Sequence, residues 1–241
     1  MKSNSLNRAI FLWSLANLFF AFQFILRLSA GILREEIIQK FTVDASSFGT
    51  LAGYYYLGYS GSQIPLGIML DRLSFRFVTS LAIATAAIGT LTFVTTSDWN
   101  MLLFGRFLIG VGSGVAFLSV AKITKIYFDE KYHSLLLGFS FTFGLIGAVF
   151  GVTPMKVLFD KFGYDDTFTM LAFVGFVIAS IMLMLGKMDK KQTNNNETTF
   201  EIVRAVFKLI LNPIILLIRG VWWFDGWSTR RICRCLGNPI F

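Results

Sequence analysis

The chain has 241 residues, of which 55% are hydrophobic and only 15% charged, with a formal net charge of +8. A soluble domain carries about 25% charged residues, so this composition, with a mean hydropathy of +0.65, excludes a soluble domain and points to an integral membrane protein. The basic excess does not mean nucleic acid: no basic helix interleaved with base-stacking aromatics occurs, and short basic loops on one side of a bilayer account for the charge.

The first apolar run, residues 9–33, follows Lys2 and Arg8 as a signal peptide would. It is too long for a signal peptide's apolar segment and lacks a clean small-residue cleavage site, so it is read as a retained span. A span needs about 20 mostly apolar residues, and six stretches qualify: 9–33, 47–70, 75–96, 99–121, 134–158 and 166–187. These six, residues 1–187, predict an all-α membrane bundle. Residues 188–208 form a polar linker ending in "FEIVRAVFKLIL", an amphipathic helix expected to lie along the membrane face. Residues 209–218 start a seventh helix, and residues 219–241 stop being apolar.

Lys and Arg fix the expected orientation. Lys2, Arg8, Arg72, Arg76, Lys122, Lys125, Lys131, Lys187, Lys190, Lys191, Arg204 and Lys208 fall on one side, against Arg34, Lys40, Lys156 and Lys161 on the other. That asymmetry places the N-terminus and the linker in the cytoplasm.

The chain repeats itself at an offset of 89 residues. Gly49 meets Gly138, Gly58 meets Gly147, Pro65 meets Pro154, Asp71 meets Asp160, and Arg72 meets Lys161, so that "PLGIMLDRLS" overlays "PMKVLFDKFG". Three spans separate the copies, and an odd number reverses direction. The expectation is two inverted three-helix repeats, a building plan of secondary transporters.

"GIMLDRLSFR", at the turn between spans two and three, resembles the signature loop of the major facilitator superfamily. Gly67, Asp71, Arg72 and Arg76 match, and Ser74 stands where that family usually has a second Gly. The resemblance implies a gating motif in which Asp71 engages a helix of the other half of the transporter; a carboxylate there can accept charge-assisted bonds from basic groups or helix amides. "GRFLIGVGSGVAF" resembles the family's fourth-span motif, with Gly105, Gly110, Gly112 and Gly114 read as close-packing positions. "FGLIGAVFGVTP" is a looser match to a fifth-span motif, in which Gly147, Gly151 and Pro154 bend or pack the helix.

Polar groups inside the spans are the candidate substrate site. Gln23 and Arg27 lie one turn apart on span one. Arg106 lies at similar depth on span four, and Tyr55, Tyr59 and Ser62 follow at helical spacing on span two with Gln63 beside them. The resemblance implies that spans one, two, four and five line a central cavity. Every Asp and Glu falls in a loop or at a span end, so two guanidinium groups without an acid favour an anionic or carboxylate-bearing substrate held bidentately. A structural alternative stands beside this, in which each Arg binds carbonyls or reaches the interface. The Tyr54–Tyr56 run is read as packing.

No enzyme constellation, Walker loop or cofactor motif occurs, and the Cys233–Cys235 pair is not by itself a metal site. The expected function is secondary active or facilitative transport of a small polar solute by alternating access, in an inner (cell) membrane. The tail carries a further expectation. "VWWFDGWSTRRICRCLGNP" admits "GGLMVGPLEGFADVWG" when read one base later from Trp222, which points to a frameshift near residue 219 that truncates a longer transporter; the alternative for the tail itself is a genuine short cytoplasmic or interfacial segment, since Trp and Arg favour interfaces. The alternatives are an inactive membrane fragment, or a half-transporter that works only as a homodimer or with a second half.

Overall fold

The computed structural model describes residues 3–185. Nine helices fill that range: α1 (Ser3–Ile32), α2 (Arg34–Phe41), α3 (Ala45–Arg72), α4 (Phe75–Thr95), α5 (Trp99–Ser113), α6 (Val115–Tyr127), α7 (Glu130–Phe150), α8 (Thr153–Phe162) and α9 (Tyr164–Leu185). The linker, the seventh-helix segment and the tail lie outside the described residues.

Acids between apolar runs mark helix starts. Asp44 caps α3 by accepting from the Ser47 amide at 2.8 Å, and Asp98 caps α5 by accepting from the Asn100 amide at 3.1 Å. Each bond satisfies an amide that a helix start leaves unpaired. Hydrogen bonds from Ser47 hold the Asp44 carboxyl below its ordinary pKa.

Five stretches are long and apolar enough to cross a membrane: Leu6–Ile32, Phe75–Thr95, Trp99–Tyr127, Glu130–Phe162 and Tyr164–Met184. The sixth expected span, α3, has 28 residues and therefore the length. Its Gly, Ser, Tyr and Gln residues leave it less apolar than the others. The fourth span runs beyond residue 121 to Tyr127, passing through Gly114, which stays helical at φ −60° and ψ −25°. The fifth span breaks instead of bending. α7 ends where Gly151 donates to the Gly147 carbonyl at 2.8 Å, Val152 leaves helical geometry, and Pro154 sits in the first turn of α8. A proline at a helix start gives up an amide that has no helical partner there. Pro65, its counterpart in the repeat, lies inside the unbroken α3. The short α2 was not foreseen, because "REEIIQKF" buries only Ile37 and carries no span-like run.

Part of the helix pairing fits the repeat, although α4–α5 also packs closely while its counterpart under the repeat, α9–α1, touches little. With α3 and α5 as spans two and four, and α1 and α7 as spans one and five, exchanging the two triplets turns the pair α3–α5 into α7–α1. It maps α4–α9, spans three and six, onto itself. All three pairs pack closely. Of the repeated glycines, Gly58 and Gly147 sit at two of these contacts, while Gly49 and Gly138 face open space. A Cβ on Gly58 would lie 2.3 Å from the Phe107 carbonyl oxygen, and one on Gly147 would lie 2.4 Å from that of Ala21. Both are too close for any side chain, so the backbones meet there. On α4–α9, Ser80 donates to the Ala179 carbonyl at 2.6 Å and Phe93 stacks on Phe168 at 4.6 Å.

Candidate functional site

Arg106 lies on α5, deep within the fourth span, and is 4% exposed. Its Nη1 donates to the Leu26 carbonyl at 2.9 Å and its Nη2 to the Arg27 carbonyl at 2.7 Å, both on α1. The guanidinium carbon stands 4.9 Å over the Tyr55 ring. Most of its charge-assisted bonding is therefore spent on backbone, and only Nε lacks a partner among the described residues.

Arg27 differs. It is half-buried, its Nη2 donates to the Tyr56 hydroxyl at 2.7 Å, and its guanidinium carbon lies over the rings of Tyr56 at 5.0 Å and Phe24 at 5.8 Å. The ion pairs near it in kind, Lys40–Asp165 and Lys122–Asp71, involve neither intramembrane arginine.

Tyr55 joins Arg106 to Gln23. Tyr55 is buried, donates its hydroxyl proton to Gln23 Oε1 at 3.0 Å, and stacks on Tyr59 at 6.0 Å between ring centres. Ser62 donates to the Tyr59 carbonyl at 3.1 Å and to the Val111 carbonyl at 3.3 Å, tying α3 to α5. The structure thus brings Gln23, Arg27, Tyr55, Tyr59 and Arg106 into one neighbourhood of α1, α3 and α5. Gln63 is exposed and makes no hydrogen bond to that cluster.

Close glycine contacts set the geometry. A Cβ on Gly110 would lie 2.2 Å from the Tyr55 carbonyl oxygen, and one on Gly114 would lie 2.5 Å from Ser62 Oγ. On the other pair, a Cβ on Gly151 would meet the Ile25 Cα at 3.0 Å. These approaches hold α3 and α7 at fixed distances from the helices that carry the arginines.

At the turn between α3 and α4, Asp71 is exposed and accepts from Lys122 Nζ on α6 at 3.2 Å; the same ammonium donates to the Leu70 carbonyl. Gly67 has ordinary space around it, and Arg72 and Arg76 are exposed. A cavity of about 640 Å³ opens nearby between α6 and α7, lined by Thr124, Lys125, Asp129 and His133 among others. It shares no residue with the arginine cluster. His133 lies in the first turn of α7, where its Nε2 donates to the Phe128 carbonyl at 2.8 Å. Among the described residues no group of His, Cys, Asp and Glu is placed to hold a metal ion.

Sequence reasoning missed Tyr56 and Lys122 as partners. Depth matching would have found both. Tyr56 and Arg27 both lie in the half of their spans nearer the same membrane face, and Asp71 and Lys122 each follow directly on the last residue of their expected spans at the other face.

The sequence profile of the Major Facilitator Superfamily matches residues 12–230. The chain belongs to the Major Facilitator Superfamily. The match continues past Arg219, where the sequence leaves its apolar pattern. Among similar members, sialin of Ovis aries is 24% identical over 172 residues, 70% of this chain and 34% of that protein. The nitrate/nitrite transporter NrtP of a Picosynechococcus species is 27% identical over 150 residues, 58% of this chain and 28% of that one. In fold, the chain resembles the crystal structure of a bacterial homolog of the human lysosomal transporter Spinster in its inward-facing and occupied conformation. The TM-score is 0.68 at 17% identity, covering 78% of this chain and 46% of that one. The chain therefore spans less than half the length of these superfamily members. It is a multi-pass membrane protein of a transporter family.

Proposed function

We propose that this chain supplies the substrate-facing half of a secondary active or facilitative transporter that moves a small polar solute with an anionic or carboxylate group by alternating access. The observation that carries the reading is Arg27: a half-buried guanidinium inside a membrane-spanning helix, partnered by a hydroxyl and aromatic rings instead of an acid. An arginine inside a span is costly and normally faces a cavity or a partner. Tyr59 supplies a neutral polar wall of the same site, with the buried Gln23 and Tyr55 behind it and Gln63 at its margin. Arg106 is assigned the supporting role its two carbonyl bonds favour. The similarity to a nitrate/nitrite transporter agrees with an anionic solute.

In this reading Gly67, Asp71, Arg72 and Arg76 form a gating turn at the cytoplasmic face of an inner membrane, with the N-terminus on the same side, and Asp71 is held by Lys122 until the gate moves. Gly110, Gly114, Gly147, Gly151 and Pro154 serve packing and bending. Uptake of radiolabelled anions into proteoliposomes tests the proposal. Arg27→Ala should lower uptake at least tenfold relative to the parent chain; unchanged uptake would remove Arg27 from the site.

The coverage of the solved relative, 46% of its length, favours a second reading of the working unit. The cavity wall is completed by a second six-helix body, whether continuous with this chain, another copy of it or a separate half. Crosslinking in membranes checks it: a strict monomer of this chain alone that still transports would remove this reading.

A further inference from the structure

We propose that Tyr56 is a ligand-binding residue of the Arg27 site, and that it and Arg27 together select a planar oxyanion. The proposal rests on the anion-site reading above and goes one residue further, to a tyrosine that its sequence neighbourhood marks as packing.

The chemistry follows from who donates. The Tyr56 oxygen accepts the Arg27 Nη2–H at 2.7 Å, which uses one lone pair and leaves the phenolic proton free, since a hydroxyl is one donor and two acceptor sites. Tyr56 is 51% exposed, so that proton is not directed into the protein core. No second hydrogen bond of this hydroxyl to the protein is present among the described residues. Donation from a cation polarises the O–H bond and makes its proton a better donor.

Arg27 is constrained in a complementary way. Its guanidinium carbon lies over two ring faces, Tyr56 at 5.0 Å and Phe24 at 5.8 Å. The aromatic rings crowd one side of the guanidinium, and the N–H groups that Tyr56 does not take are the donors left for a ligand. Five such N–H groups exist, and Tyr56 takes one. An Arg N–H and a phenolic O–H thus stand side by side on atoms 2.7 Å apart. Two adjacent donors suit a ligand with two acceptor oxygens on one atom, as in a carboxylate or a trigonal oxyanion, through the same fork geometry that pairs Arg with carboxylates. A spherical ion presents one point and gains less from the second donor.

The backbone supports the arrangement. The Arg27 carbonyl is held by Arg106 at 2.7 Å, so the helix beneath the Arg27 side chain is fixed while the side chain is oriented from the front by Tyr56. Preorganised donors of this kind spare a ligand the cost of ordering them.

The test uses the full chain in lipid nanodiscs, with sodium acetate and sodium nitrate as probes. Calorimetric titration and the near-ultraviolet tyrosine difference spectrum are recorded for the parent chain, Arg27→Ala, Tyr56→Phe and Tyr54→Phe. Tyr56→Phe should weaken binding by about tenfold, the size of a lost hydrogen bond to a charged group, and should abolish the difference band that anion addition produces. Tyr54→Phe, also an exposed tyrosine on α3, should leave both unchanged. If Arg27→Ala abolishes binding while Tyr56→Phe binds as the parent and keeps the band, the role of Tyr56 is overturned and the anion site stands. If Arg27→Ala binds as the parent, or the parent binds neither anion, the site reading fails and this inference with it.

Discussion

At the residue scale, the two intramembrane arginines divide the work by what their nitrogens touch. Arg106 gives two charge-assisted bonds to the backbone of α1 and is almost fully buried. Arg106→Ala is expected to destabilise the chain by about 2–3 kcal/mol, since bonds from charged groups contribute about 1.5–3 kcal/mol each and do not simply add. Arg106→Lys should recover only part of this, because an ammonium is a compact point charge that does not reproduce the fork reaching both carbonyls. Unfolding equilibria in detergent measure both. Arg27, half-buried with one hydroxyl partner, should cost less than Arg106 when replaced by Ala. Equal losses for the two would contradict the division. Sequence reading placed both arginines at one depth but did not tell them apart, because the difference lies in carbonyls of another helix, and backbone acceptors carry no sequence signature.

At the scale of single elements, the glycines separate into those that meet backbone and those that meet nothing. A Cβ at Gly110 would sit 2.2 Å from the Tyr55 carbonyl oxygen, whereas one at Gly53 finds no atom within 4 Å. Ala is intrinsically favoured over Gly in a helix by about 0.8–1 kcal/mol. Gly53→Ala should therefore be neutral or stabilising. Gly110→Ala should lower stability by about 1–3 kcal/mol, as overpacking does, by forcing α3 away from α5. Thermal unfolding of the two variants side by side checks the contrast.

The start of α3 has its own pH signature. The folded-state pKa of Asp44 is lowered by its bonds from Ser47, so the cap's contribution is complete above the unfolded carboxylate pKa of about 3.9. It is lost as pH falls through the lower folded-state value. Hydrogen exchange at the Ser47 amide should show protection fading over that acid range, and Asp44→Asn, which keeps a side-chain acceptor, should flatten the dependence.

Elements were legible in the sequence to the degree that they are apolar or punctuated. Five spans announce themselves by hydropathy, and the break between α7 and α8 falls on Gly151 and Pro154. The helix α2 did not, because eight residues with four charges resemble any loop. Lys122 was readable as a charge on one face but not as the partner of Asp71, since the two are 51 residues apart and meet only when α3 and α6 end together.

At the scale of the whole molecule, the pairing of α3 with α5, α7 with α1 and α4 with α9 fits the 89-residue offset, whereas the close pair α4–α5 has no equally close counterpart in α9–α1. The Lys122–Asp71 pair, 20% and 79% exposed, lies at one end of this bundle. Exposed pairs contribute about 0–1 kcal/mol, so Asp71→Asn should leave unfolding nearly unchanged. In the proposed gating role it should instead change the rate of uptake. A large loss of stability with normal uptake would make the pair structural.

The central claim is an anion site built on Arg27 in a Major Facilitator Superfamily chain. Ligand-dependent thermal stabilisation of the full chain, measured across small anions, neutral polyols and organic cations, tests it most directly, because a solute that binds only the folded state raises the unfolding temperature in proportion to its affinity. Oxyanions alone should raise it, and Arg27→Ala should remove the effect. Equal stabilisation by neutral or cationic solutes, or full anion stabilisation of Arg27→Ala, would contradict it.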